Sequence, residues 1–134
     1  MHDKIGYDNL GFIGLGIMGR PMALNLRQAG YPLHVHARRA EALAPLLAAG
    51  AIACASPAEV ARQVDILFTM VADTADVEHI ILGEQGVLAG ARPGLVVVDM
   101  STISPAATRA LAQRLGERGL EMLDAPVSGG EAGA

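Results

Sequence analysis

The sequence predicts an α/β protein built on a doubly wound, mostly parallel sheet of about six strands. Short apolar segments alternate with helical segments along the whole chain, and the connections between them are short. Several apolar segments are unbroken aliphatic runs, which is typical of parallel strands covered on both faces. Of the 134 residues, 51% are hydrophobic and none is tryptophan. Such a composition suits a core of small aliphatic side chains between helices and a sheet.

The individual elements follow from local signals. The apolar runs predict strands at residues 10–13, 33–37, 51–53, 66–70, 95–99 and 120–123. Helical patterns predict helices at residues 18–29, 39–49, 57–63, 74–82 and 105–118, with a further turn of helix near Val87. Helix ends are expected at Gly30, Gly50 and Gly119. Helix starts are expected at the N-cap candidates Ser56, Asp73 or Thr74, and Ser104.

One domain accounts for the whole chain. Residues 1–9 are expected to form a flexible tail, and residues 10–134 a single domain. Pro45 is expected to weaken or kink the second helix. The segment at 66–70 is expected to be buried on both faces.

The charge and composition exclude several classes of partner. The net charge is −4, which disfavours nucleic acid and anionic membrane surfaces. No apolar run approaches the ~20 residues of a membrane span. The single cysteine, Cys54, has no partner for an internal disulfide and is expected to be a small buried residue. We therefore expect a cytoplasmic protein.

The first predicted strand runs directly into Gly14-x-Gly16-x-x-Gly19, and a helix follows. Strand, glycine turn and helix form the context of the dinucleotide-binding fingerprint, so a Rossmann-type NAD(P)-binding domain is predicted. Gly14 would allow the tight turn, Gly16 would let the backbone approach a pyrophosphate, and Gly19 would let the helix pack closely on the strand. The N–H groups at the start of the helix would then face the phosphates.

The second predicted strand is followed by Arg38 and Arg39, where an NAD-binding fold usually carries a carboxylate. Guanidinium groups pair well with a 2′-phosphate, so NADP(H) is predicted over NAD(H), with NAD(H) still possible. The alternative is that both arginines are solvated charges at the start of the second helix. His34 and His36 share one face of the strand but lack a third ligand, and no metal is expected.

Polar residues also follow the last two strands. Thr102 is a candidate contact for the nicotinamide ribose or the substrate, whereas Ser104 is expected to serve as an N-cap. Ser128, Gly129 and Gly130 could form an anion-binding nest for a substrate carboxylate.

Three motifs in order carry a resemblance to a known family: FIGLGIMGRPMALNL at 12–26, DMSTISP at 99–105 and DAPVSGG at 124–130. Together they resemble the β-hydroxyacid dehydrogenases, which use NAD(P) to interconvert small 3-oxo and 3-hydroxy acids. Within that family, residues 99–101 and Glu131 are more similar to the enzymes that reduce tartronate semialdehyde than to those acting on 3-hydroxyisobutyrate. Enzymes that reduce imines or succinic semialdehyde are an open alternative.

The resemblance implies roles for individual residues. The implied cofactor contacts, with the arginines above, are Gly14, Leu15, Gly16, Ile17, Met18, Gly19, Met70, Val71, Ala72 and Thr102. At 71–72 the family usually has Leu-Pro, which leaves the rigidity of that loop in question. Ser128, Gly129 and Gly130 would hold the substrate carboxylate.

The family's chemistry also requires a lysine downstream of the Ser-Gly-Gly loop, and the only lysine here is Lys4. The resemblance therefore implies the cofactor-binding domain without the helical domain that completes the site and the homo-oligomer, and a chain that is inactive alone. A stand-alone dinucleotide-binding module is the alternative.

Overall fold

A computed structural model describes residues 9–126 and contains one six-stranded sheet. The strands are β1 (Leu10–Ile13), β2 (Leu33–His36), β3 (Ile52–Ala53), β4 (Ile66–Thr69), β5 (Val96–Asp99) and β6 (Glu121–Asp124). Their order in the sheet is β3-β2-β1-β4-β5-β6, and every neighbouring pair is parallel. This order is the doubly wound arrangement, with its switch point between β1 and β4, and it confirms the predicted fold class.

Within residues 9–126, six helices cover the sheet. They are α1 (Gly19–Gln28), α2 (Ala40–Ala48), α3 (Pro57–Gln63), α4 (Thr74–Leu82), α5 (Val87–Gly90) and α6 (Pro105–Gly116). Residues of α1 and α2 pack in one apolar cluster on one face, around Phe12 and Val35. Residues of α3 to α6 pack in a second cluster on the opposite face, around Leu67 and Val97. None of the helices in residues 9–126 is long and apolar enough to cross a membrane.

The predicted N-caps are confirmed by their hydrogen bonds. Ser56 Oγ accepts from the Glu59 N–H at 3.2 Å, and Ser104 Oγ accepts from the Ala107 N–H at 3.0 Å. Asp73 caps α4 by accepting from the Asp76 N–H at 3.0 Å. Each side chain satisfies a donor that has no acceptor within its own helix. Local sequence therefore fixes the start of all three helices.

Pro45 lies inside α2, as the predicted helix at 39–49 requires. One expectation about the strands needs correction. The last strand begins at Glu121 and not at residue 120, because the Leu120 N–H bonds the Leu115 carbonyl at the end of α6.

The expected burial of β4 on both faces is wrong in part. Phe68 and Ile66 are only half-buried, whereas Leu67 on the opposite face is fully buried. The register puts Phe12, Phe68, Val98 and Leu123 in one row across the sheet. Exposure rises along this row to 53% at Leu123, because the described helices that follow β4 and β5 pack on the other face.

Candidate dinucleotide-binding site

The loops that carry the predicted cofactor residues meet at one edge of the sheet. All strands are parallel, so the loops after β2, β1, β4 and β5 leave neighbouring strands at their carboxyl ends. This brings together Arg38 and Arg39, the glycine turn, residues 70–72 and Thr102. Ligands of doubly wound sheets bind at this edge, next to the switch point. The predicted substrate residues Ser128, Gly129 and Gly130 lie outside the described residues, as does Lys4.

Two glycines of the turn are required by the fold itself. Gly14 has a φ of +102°, and a Cβ built there would collide with the Met70 carbonyl oxygen. A Cβ at Gly19 would collide with the Gly14 carbonyl oxygen and would lie 3.2 Å from Phe12 Cε1. These contacts agree with the predicted tight turn and the predicted close packing of α1 on β1.

Gly16 differs from its two neighbours in the motif. A Cβ built at Gly16 meets no atom within 4 Å, and its φ is outside the left-handed region. The next residue, Ile17, is 69% exposed, so the surface at this point is open. The fold therefore gives no reason for a glycine at position 16.

The start of α1 lies beside Gly16 and is suited to an anion. The N-cap position is Met18, whose side chain makes no capping hydrogen bond. The Arg20 N–H already donates to the Gly16 carbonyl at 3.0 Å. The other N–H groups of a first helical turn have no intrahelical acceptor, and the helix dipole favours negative charge there. Leu15 is buried in the core, so its side chain is unavailable to a ligand at this turn. Phosphate oxygens are the groups that this combination of open backbone and helix start binds best.

The two arginines after β2 have different surroundings. Arg38 Nη2 forms an ion pair with Asp76 Oδ1 on α4 at 2.7 Å, with the Arg38 side chain 76% exposed. Arg39 stands at the N-cap of α2 and is exposed. Asp76 was not among the residues predicted from sequence. No sequence pattern indicates a contact between residues 38 positions apart on separate elements.

A buried polar network joins the loops after β4 and β5. Thr69 Oγ1 donates to Asp99 Oδ1 at 2.9 Å, and the Ser101 N–H donates to the same oxygen at 3.1 Å. Ser101 Oγ accepts from the Val71 N–H at 2.9 Å. Thr69, Asp99 and Ser101 are all fully buried. The network holds residues 70–72 in place, but it also occupies the Val71 N–H, so a ligand can use only other atoms of Val71.

Thr102 and Ser104 follow this network in the loop before α6. Thr102 is exposed next to the buried Ser101, in the loop at the carboxyl end of β5. Ser104 caps α6, as predicted, and its own N–H donates to Thr74 Oγ1 at 3.3 Å. That contact connects the start of α6 to the start of α4, so both helices are fixed relative to the site.

His34 and His36 on β2, and Cys54 after β3, pack near α3. His36 Nδ1 lies 3.0 Å from the Cys54 carbonyl oxygen. His34 Nδ1 is buried without a hydrogen-bond partner among residues 9–126, and burial lowers the pKa of His34. Burial raises the pKa of the Cys54 thiol, and the negative charge of Glu59 raises it further. Within the same residues, no three metal-ligating side chains converge.

Comparisons with known proteins agree with this geometry. The family model described as the NAD binding domain of 6-phosphogluconate dehydrogenase matches residues 9–134. The chain is 49% identical over 129 residues to the 2-hydroxy-3-oxopropionate reductase of Escherichia coli strain K12, an alignment that covers 93% of this chain and 42% of that enzyme. It is 46% identical over 125 residues to the NAD-dependent L-serine dehydrogenase of Pseudomonas aeruginosa, with 93% and 42% covered.

A solved structure gives the same result. The chain superposes on Psf3 in complex with NADP+ and 2-OPP with a TM-score of 0.88 and 34% identity, covering 93% of this chain and 44% of that one. The chain thus spans less than half the length of the relatives that it matches. These matches, together with the strand order and the glycine turn, show that the chain belongs to the NAD-binding-domain family of 6-phosphogluconate dehydrogenase and the other β-hydroxyacid dehydrogenases.

Proposed function

We propose that this chain binds NADP(H), with NAD(H) as the weaker cofactor, and forms the cofactor-binding part of a reductase of small 3-oxo acids. The observation that carries the proposal is the open space at Gly16. The fold requires glycine at positions 14 and 19, but nothing within 4 Å requires it at position 16. A pyrophosphate against that backbone supplies the missing reason.

The arginines support the choice of NADP(H). No carboxylate occurs among residues 36–40 at the end of β2, where Arg38 and Arg39 stand instead. A guanidinium can bind a 2′-phosphate through two hydrogen bonds. Relatives differ in this respect, since Psf3 was solved with NADP+ and the Pseudomonas aeruginosa enzyme is NAD-dependent. The residues after β2 in this chain are therefore the basis of the cofactor choice.

The residues at the sheet edge would divide the work of binding. The glycine turn and the start of α1 would hold the pyrophosphate. Residues 70–72 and Thr102 would contact the nicotinamide end. The hydrogen bonds of the Thr69–Asp99–Ser101 network hold the loops after β4 and β5 in a fixed position relative to each other. A nicotinamide bound there would supply the hydride. The residues of this chain would orient the ring towards the carbonyl carbon of the substrate.

The proposed substrate is tartronate semialdehyde, which would be reduced to glycerate, or a related acid such as 3-hydroxyisobutyrate. The 49% identity to 2-hydroxy-3-oxopropionate reductase supports this class, because that name is a synonym of tartronate semialdehyde reductase. Ser128, Gly129 and Gly130 are the proposed carboxylate site. In the reaction a hydride adds to the carbonyl carbon, and an acid must protonate the oxygen.

We further propose that the chain alone does not catalyse this reaction. A positioned acid contributes roughly 10²–10⁴ in rate. The only lysine of the sequence, Lys4, precedes β1 in the chain, whereas a cofactor would bind at the carboxyl ends of the strands. The test is NADPH consumption with tartronate semialdehyde by this chain and by the same chain joined to a helical domain of the family. Turnover only in the extended protein supports the proposal, and equal rates would contradict it.

A stand-alone dinucleotide-binding module is the second candidate. Residues 10–134 contain the dinucleotide fingerprint but no lysine, so dinucleotide binding is the activity that these residues can supply by themselves. Under this alternative, NADPH binds to the chain, but the extended protein is as inactive as the chain itself. The same comparison of NADPH consumption therefore separates the candidates.

A further inference from the structure

The ion pair between Arg38 and Asp76 spans the cofactor edge of the sheet. Arg38 follows β2 and Asp76 lies in the first turn of α4, which follows β4. β1 lies between β2 and β4 in the sheet, so the ion pair bridges the two sides of the strand that leads into the glycine turn. The pair therefore lies where the adenosine half of a bound dinucleotide has to pass between the loop after β2 and the start of α4.

The two partners are held with different strength. Arg38 is 76% exposed, and an exposed ion pair contributes little to stability, so its guanidinium is free to move to another anion. Asp76 is only 25% exposed, and its N–H is fixed by Asp73 Oδ1 at 3.0 Å. Its carboxylate also lies at the helix end that favours negative charge. Asp76 is therefore a fixed negative charge next to a movable positive one.

A fixed carboxylate at this place acts in opposite ways on the two cofactors. A 2′-phosphate bound by Arg38 would come within a few ångströms of Asp76 and be repelled, and Asp76 would also compete for the Arg38 donors. A 2′-hydroxyl has no such charge and can donate a hydrogen bond to a carboxylate. NAD-binding folds usually obtain that acceptor from the end of β2, where this chain has none.

We propose that Asp76 is a specificity-determining residue that weakens the preference for NADP(H) over NAD(H), an inference that rests on the proposed dinucleotide binding. Removal of the Asp76 charge, which would lie within a few ångströms of the 2′-phosphate in a solvated site, is expected to strengthen NADPH binding by roughly fivefold. NADH binding should stay constant or fall, because its 2′-hydroxyl loses a charged acceptor.

The test is the ratio of NADPH to NADH dissociation constants in the parent chain and in Asp76→Asn, Asp76→Glu and Glu78→Gln. Glu78→Gln is the matched control, since this exposed carboxylate lies on the same helix and makes no ion pair with Arg38. We expect Asp76→Asn to shift the ratio towards NADPH by about fivefold or more, and the other two variants to keep the parent ratio. Partial unfolding of a variant lowers both affinities equally and leaves the ratio unchanged.

The outcomes separate this inference from the function on which it rests. If the parent chain binds both cofactors but Asp76→Asn leaves the ratio within twofold of the parent, or shifts it towards NADH, the role of Asp76 is refuted and the proposed function stands. If Glu78→Gln shifts the ratio of dissociation constants as much as Asp76→Asn does, the effect comes only from the net charge of the chain, and the role of Asp76 is also refuted. If the parent binds neither cofactor, both proposals fail.

Discussion

Replacement of Gly16 by valine should affect cofactor binding strongly and the stability of the fold only slightly. Nothing lies within 4 Å of a Cβ at this position, so the free energy of unfolding should change by no more than about 0.5 kcal/mol. A pyrophosphate in contact with the backbone would meet the new side chain directly. Extra carbons forced into a close-packed contact typically cost about 1–3 kcal/mol, or roughly fivefold to 150-fold in the dissociation constant. The three carbons of valine should therefore weaken NADPH binding by an amount near the upper end of that range, about 100-fold.

The other glycines give matched comparisons. Gly19→Ala should destabilise the fold by about 1–3 kcal/mol or more, because its Cβ would collide with the Gly14 carbonyl oxygen. Gly116→Val also places its side chain in open space, but at the far end of α6, and should leave binding unchanged. Urea denaturation measures stability, and titration of nicotinamide fluorescence measures affinity. A folded Gly16→Val variant that binds NADPH as tightly as the parent would refute the reasoning.

Three further predictions concern single side chains. Arg38→Ala should weaken NADPH binding by about 1–3 kcal/mol and leave NADH affinity unchanged. Titration of the variant with each cofactor checks this, and an equal loss of affinity for both would contradict it. Ser101→Ala leaves the Val71 N–H without its acceptor and should lower the free energy of unfolding, measured by urea denaturation, by about 1–3 kcal/mol. Thr102→Ala changes an exposed side chain and should alter that free energy by less than about 0.5 kcal/mol. His34 has a lowered pKa in the folded state, so the unfolded chain takes up its proton first, and stability should fall as pH drops below about 6.5. His34→Gln should remove that part of the pH dependence, and an unchanged profile would refute it.

The local features of this fold could be predicted from sequence because their causes are local. Ser56 and Ser104 cap helices three residues away, and the glycine turn lies between a strand and a helix that are adjacent in the chain. Contacts between distant elements could not be predicted. The Arg38–Asp76 ion pair joins the loop after β2 to the first turn of α4, and only the strand order brings these two segments together. The half-burial of Phe68 likewise depends on which face the helices after β4 cover, and no periodicity within β4 reveals this.

The buried network around Asp99 is another contact between distant elements that the sequence does not predict. Sequence placed Asp99 at the end of an apolar strand and Thr102 in the loop beyond it, which is where the structure has them. The partner Thr69 comes from β4, 30 residues earlier, and pairs with Asp99 because the two strands are neighbours in register. A threonine at the end of an apolar run gave no signal of this role.

Calorimetric titration of the parent chain with NADPH, and separately with NADH, tests the central claim most directly. The open backbone at Gly16, the start of α1 and the two arginines after β2 predict saturable one-to-one binding of both cofactors, with NADPH the tighter. The difference should shrink as salt is raised, because the additional contact is between a phosphate and exposed guanidinium groups. A folded chain that binds neither dinucleotide would contradict the account.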